Sequence, residues 1–229
     1  MESVFILLIP SKFSELRKSW MEVWSFRFFR IQMTVSLLFL FFLSVFIPYF
    51  FSYIQSIKGY AIDDFILNQF QVRDMSLYIF ILNYAVLFLT IINLIPKPIL
   101  FLKCLQAYCL LVVMRVVCMY CLPLDPDRYI IPLEDPFVGR FFYSGYVITK
   151  DLFFSGHVST MFLFFLAIPV RLLKYIFFAA TLLVAIFILI QHVHYSIDII
   201  AAPLFSWICY RLVHSIPLGT IKTSNQVST

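Results

Sequence analysis

Charge is scarce in this chain, and glycine is scarcer. Only 13% of the 229 residues are Asp, Glu, Lys or Arg, and five are glycine. So few charges exclude a solvated surface around a single water-soluble core. So few glycines leave no glycine-rich loop, and neither a P-loop nor a dinucleotide fingerprint is present. The five cysteines (Cys104, Cys109, Cys118, Cys121 and Cys209) all fall in apolar stretches. Cys118 and Cys121 form a C-x-x-C with no second pair to complete a zinc site, so they read as small buried residues one helical turn apart. No metal and no cofactor is expected. The formal charge of +5 comes from short basic patches between apolar runs; such patches orient a chain in a bilayer and are no sign of nucleic-acid binding. Residues 4–10 do not read as a cleavable signal: the apolar run is short, lacks a basic lead-in and is followed by charges.

What fills the chain is hydrocarbon. Hydrophobic residues make up 62%, with 28 phenylalanines, and the mean hydropathy is +0.96. Soluble domains hold roughly 45–50% apolar residues. A bilayer crossing takes about 20 apolar residues, and six stretches qualify: 31–54, 75–95, 99–122, 155–171, 174–191 and 194–213. The expected fold is an all-α membrane protein with six transmembrane helices over residues 31–213. Residues 1–30 precede it, with Lys12, Arg17, Lys18, Arg27 and Arg30 interleaved among Phe13, Trp20, Trp24 and Phe28. That mixture predicts an amphipathic helix in the headgroup region. Residues 214–229 form a tail. Eleven Lys and Arg residues fall on the side of the termini and five on the other, with Arg115 inside the third span. The bias puts both termini in the cytoplasm and the connections 55–74 and 123–154 outside. The second of these carries Pro123, Pro126, Pro132 and Pro136; long structured connections of this kind are usually functional.

Three of the four histidines sit at outer ends of spans. His157 opens the fourth in Asp151-Leu-Phe-Phe-Ser155-Gly156-His157, and His194 opens the sixth in His192-Val-His194-Tyr-Ser-Ile-Asp198. Spans four and six run the same way, so both starts share one membrane face. A helix N-terminus offers unpaired N–H groups and a positive dipole end, which suits a phosphate, and Gly156 lets backbone approach an anion. Two such starts around one cavity would make a stronger anion site. His194 and Asp198 are four apart and lie on one helix face. The carboxylate can fix the imidazole tautomer and leave its other nitrogen to attack. His192, two residues away, points to another face. An ionisable residue inside a span, such as Asp198, marks a functional site.

These strings resemble the paired motifs of sphingomyelin synthases, within the type 2 phosphatidic acid phosphatase (PAP2) superfamily. There, C-G-D and S-G-H-T precede H-Y-T-x-D-V-x-x-A. Here Asp151 and Ser155-Gly156-His157 are kept, Thr149-Lys150 replace Cys-Gly, Val158 replaces Thr, and the second motif reads His194-Tyr-Ser-Ile-Asp198-Ile-Ile-Ala201. Arg115-Val-Val-Cys-Met-Tyr120-Cys-Leu-Pro123 resembles the synthases' Arg-containing third span. The likeness covers roughly residues 105–213. Ordinary phosphatases of the superfamily carry an S-R pair where this chain has Phe187 and Ile188, so the pattern leans to the synthase branch.

The resemblance implies that His194 is the nucleophile, that Asp198 orients it and that His157 moves the proton. It implies a phosphohistidine on the way from a phospholipid donor to a ceramide or diacylglycerol-like acceptor. Ser155 and Gly156 are the first candidates to bind phosphate, with Arg115, Arg128, Arg140 and Lys150 behind them. Arg115 also reads as the partner of a carboxylate, and Asp151 as either a cap on the fourth span or a contact for a head-group amine. The expected partners are membrane lipids. A hydrolase on the same scaffold is the nearest rival, and a non-catalytic transporter or scaffold is a rival of another class. The Phe- and Ile-rich usage leans toward a bacterial cell membrane.

Overall fold

The computed structural model describes residues 10–133 and 148–216. Arg140, the Glu134–Asp135 part of its connection and the tail from residue 217 lie outside the described residues. The described residues form seven α-helices: α1 (Pro10–Trp24), α2 (Arg27–Ser56), α3 (Ser76–Leu94), α4 (Pro98–Cys121), α5 (Gly156–Ala167), α6 (Arg171–Ile190) and α7 (Ser196–Ser215). They hold no β-strand, only a single parallel bridge between Tyr60 and Leu124.

Five helices, α2, α3, α4, α6 and α7, are long and apolar enough to cross a membrane. The expected fourth span is shorter than its sequence suggested. α5 has 12 residues, about 18 Å at 1.5 Å per residue, against a hydrocarbon core of about 30 Å. The cause is Pro169, whose ring disfavours helix at the residue before it; Ile168 is extended, with φ −68° and ψ 128°. α5 tolerates this because it is interior, packed against α3, α4, α6 and α7. Its Val158, Met161, Leu163 and Phe164 belong to the main core, with Leu111, Phe177, Val184 and Ala202.

The outer helices turn apolar side chains outward. On α2, Phe39, Phe42, Phe46 and Phe50 form a stacked ladder with centroids 6.0–6.4 Å apart, and the first three are exposed. Three- and four-residue spacing places such rings one above the other on one helix face.

The bundle has two distinct ends. At one, α1 packs Trp20 and Val23 on Phe29, Met33 and Leu102, and the Trp20 indole donates to the Ile95 carbonyl at 2.7 Å. At the same end Lys103 of α4 donates to the carbonyls of Val213 and Ile216, at the end of α7 where carbonyls run out of i+4 N–H partners. The other end gathers the starts of α3, α5 and α7 with the ends of α2, α4 and α6. Their connections are tied together there: Tyr60 N–H donates to Pro123 O, and Asp125 N–H to Tyr60 O, both at 3.0 Å. Gly59 makes this approach possible, since a Cβ there would lie 2.5 Å from the Leu124 backbone carbon.

Candidate active site

The second end holds the residues singled out from sequence. His194 and Asp198 are buried, 2% and 0% exposed, and His194 Nδ1 lies 3.3 Å from Asp198 Oδ2. The same oxygen accepts the N–H of Tyr195, the residue before α7, at 3.1 Å. The carboxylate thus fixes both the ring and the first turn. Ser155 N–H donates to the Asp198 carbonyl at 3.3 Å, which joins the starts of α5 and α7. Deeper in, Ser206 Oγ donates to Ser159 O at 2.8 Å, so small residues keep these helices close.

Two polar atoms at this junction, Ser155 Oγ and Asp198 Oδ1, are buried with no hydrogen-bond partner among the described residues. Leaving such a group unsatisfied costs about 1–3 kcal/mol. An orphaned group of this kind calls for an explanation, a catalytic role being one; Gln32 Oε1 on α2, away from this junction, shares the feature.

His157 faces a cavity of about 480 Å³ between α3, α4 and α5, together with Arg115, Asp151, Gly156 and Thr160. Its ring meets Phe80 edge to face at 6.0 Å. From this polar end the cavity continues between apolar side chains, past Leu87 and Val112, to Leu94 and Phe101. Fourteen residues of α3 and of α4 separate its extremes, about 21 Å along the helix axes. His194 and Asp198 are not on its wall.

The basic candidates divide. Arg115 donates from Nε to the Phe154 carbonyl at 3.0 Å and from Nη2 to Asp151 at 2.5 Å. It therefore takes the carboxylate partner that one reading of the sequence allowed, while still lining the cavity. Gly156 lies over its guanidinium: a Cβ there would sit 2.5 Å from Nη1 and 2.6 Å from Cζ. Asp151 does not cap α5, whose N-cap is Ser155; four residues upstream, its carboxylate is drawn to Arg115 instead. Lys150 is off the cavity wall. Its ammonium meets Asp125 at 2.7 Å and the Ile57 carbonyl, and its N–H donates to Gln55, so it pins the end of α2. Arg128 lies over the Tyr129 ring.

The α7 start is more occupied than the sequence implied. Its Ser196 N–H donates to Asp64 Oδ2 at 2.6 Å, and the Tyr195 N–H is taken by Asp198, so carboxylates hold much of the place expected for phosphate. Burial pushes the Asp64 carboxyl up, but the hydrogen bonds from Ser196, Leu67 and Ile66 outweigh it and leave Asp64 below the usual carboxylate range.

His192 turns away from His194. Its Nδ1 lies 2.9 Å from Asp127 Oδ2 and its Nε2 3.3 Å from Phe70 O, with a left-handed φ of 56°. Gln191, fully buried, bonds Met75, Ser76 and Ile131. Sequence reasoning missed Gln191, Asp127 and Asp64. The first could have been found, because Gln191 and His192 are consecutive polar residues between two apolar spans. Among the described residues no three His, Cys, Asp or Glu side chains converge as a metal site.

Residues 150–215, which hold α5 to α7 and both histidine strings, match the family model described as PAP2 superfamily C-terminal. The match supports membership of the PAP2 superfamily. A PAP2 domain fits an enzyme, a phosphatase or phosphotransferase acting on lipids, and the apolar helices fit an integral membrane protein. No curated protein matched the chain.

Proposed function

We propose that this chain is a lipid phosphotransferase of the sphingomyelin synthase type, moving a phosphocholine or phosphoethanolamine group from a glycerophospholipid to a lipid hydroxyl. The observation that carries this reading is the buried His194–Asp198 pair, bonded through Ser155 to the helix whose His157 faces a long, mostly apolar cavity.

With Nδ1 held by Asp198, His194 attacks phosphorus through Nε2. The P–N bond forms as the bond to the diacylglycerol oxygen breaks, and His157 gives that oxygen its proton. In the second half, His157 takes the proton of an acceptor hydroxyl, whose oxygen attacks phosphorus as the P–N bond breaks. The orphaned Ser155 Oγ, the Gly156 backbone and the remaining guanidinium donors of Arg115 stabilise the equatorial oxygens. Asp151 offers its carboxylate to the head-group nitrogen, and Lys150 acts at a distance by holding the connection that carries Asp151. The apolar length of the cavity receives an acyl chain.

In this reading α5, extended by residues 168–170, makes the sixth passage, and 31–213 is the catalytic domain. The site end faces away from the cytoplasm of a bacterial cell, in keeping with the excess of Lys and Arg at the opposite end. α1, which exposes Met21 and Trp24, lies in the cytoplasmic headgroup layer.

The test is trapping. Purified protein given head-group-labelled phosphatidylcholine or phosphatidylethanolamine should hold acid-labile phosphate, and His194→Ala should hold none. Addition of ceramide or diacylglycerol should then yield labelled lipid. Release of free phosphocholine or phosphoethanolamine with no labelled acceptor would instead make the protein a hydrolase. Lipid turnover unchanged in His194→Ala would overturn both readings.

A further inference from the structure

Asp64 belongs to none of the motifs, yet it is buried, 9% exposed, in the connection between α2 and α3. One carboxylate oxygen accepts the N–H groups of Ile66 and Leu67 at 3.0 and 3.1 Å, which fixes the local turn ahead of the short helix Leu67–Gln69. The other accepts the N–H of Ser196 at 2.6 Å, across 132 residues. Ser196 is the first residue of α7, midway between His194 and Asp198. The turn is gripped on a second side by Tyr195, whose hydroxyl donates to the Asp125 carbonyl at 2.8 Å and accepts from Ile62 N–H at 3.4 Å. Leu67, Leu124, Leu152 and Tyr195 pack beneath these bonds. The connection 57–70 is therefore a strap across the start of α7, and Asp64 is its charged fastening. A carboxylate is favoured there by the positive end of the helix.

We propose that Asp64 is a positioning residue for His194: by holding the Ser196 N–H it sets the first turn of α7, and with it the approach of the His194 ring to Asp198. This rests on the phosphotransfer reading for its kinetic consequence but not for its structural one. His194 Nδ1 lies at 3.3 Å from its carboxylate, a long bond for a charge-assisted pair, which ordinarily measures about 2.7–2.9 Å. Small shifts of the turn would therefore decide whether the pair forms. Misplacement of a reacting group by about 1 Å costs on the order of a hundredfold in rate.

Two substitutions remove the same bond from opposite sides. Asp64→Ala removes the acceptor. Ser196→Pro replaces the donor by a ring Cδ that displaces the Asp64 carboxylate, at the one helical position where proline is favoured, and Tyr195, with ψ 157°, already has the extended backbone that proline requires before it. Asp64→Asn keeps an acceptor oxygen. In the whole 229-residue chain in detergent, two readouts are followed: carbethoxylation of His194, mapped by peptide mass, and kcat and KM for head-group transfer. Asp64→Ala and Ser196→Pro should each speed His194 modification several-fold and lower kcat by about ten- to a hundredfold, with KM nearly unchanged. The double variant should be no worse than either single one, and Asp64→Asn, whose NH2 must face either the Ser196 N–H or the Ile66 and Leu67 N–H groups, should recover only part of the loss.

Wild-type rates of His194 modification and wild-type kcat in Ser196→Pro would overturn the proposal. So would additive losses in the double variant. An inactive wild-type protein whose His194 modification still responds to both substitutions would sink the phosphotransfer reading and leave the positioning role standing.

Discussion

Arg115 illustrates how much a single residue's surroundings settle. Its five donors lie in a rigid planar fork, and the fork is spread over Asp151 and the Phe154 carbonyl while one edge lies under Gly156. A lysine ammonium can bridge two close acceptors, as Lys150 does, but it cannot present the two separate donor positions, Nε and Nη2, from which Arg115 meets Phe154 O and Asp151. Under the proposed function, Arg115→Lys should therefore lower head-group transfer by at least about tenfold, the effect of losing roughly 1.4 kcal/mol at the transition state. Gly156→Ala tests the same contact from the other side. The added methyl must push the guanidinium away or strain the start of α5, for a loss of about 1–3 kcal/mol read as a lower melting temperature. It should lower activity more than an equally destabilising change elsewhere in α5. The two substitutions combined should give less than the sum of their separate effects.

At the scale of elements, the connections at the site end are held by carboxylates. The hydrogen bond from the Lys150 ammonium keeps Asp125 below the usual carboxylate range against the opposing effect of burial. The side-chain hydroxyl and N–H of Ser76 do the same for Asp74 at the start of α3. With Asp64, all three have folded pKa values below their unfolded ones. Each then contributes stability that is fully present above the unfolded value near 3.9 and lost as pH falls through the folded value. The melting temperature of the purified protein should thus change little on this account from pH 7 to about pH 5 and fall below about pH 4. In Asp125→Asn the fall should be shallower, starting from a lower neutral-pH value; an equally steep acid loss would show that the linkage lies elsewhere.

At the scale of the whole molecule, the cavity runs about 21 Å between α3 and α4, more than half of the roughly 30 Å hydrocarbon core. Val112 lines its middle. Val112→Trp should block the far portion, so that lipids with short acyl chains are still turned over while KM for long-chain lipids rises several-fold. A uniform loss across chain lengths, measured with a matched series of donors, would count against acyl-chain occupancy.

The sequence by itself determined the membrane class, the positions of the long helices and the histidine strings at helix starts on one face. These rest on composition, on the length of apolar runs and on spacing within one helix, all local properties. His194 and Asp198 were legible as a pair because four residues make one turn. The length of α5 was less legible, because its apolar run continues through Pro169 and composition alone does not register the helix end. Only the tertiary structure decided which partner each charge takes. Arg115 and Asp151 are 36 residues apart, His192 and Asp127 65, and Ser196 and Asp64 132. Sequence places each of these groups at the right end of the bundle. Which acceptor completes each donor depends on how three connections cross there, because a buried polar group takes whatever partner packing brings within about 3 Å.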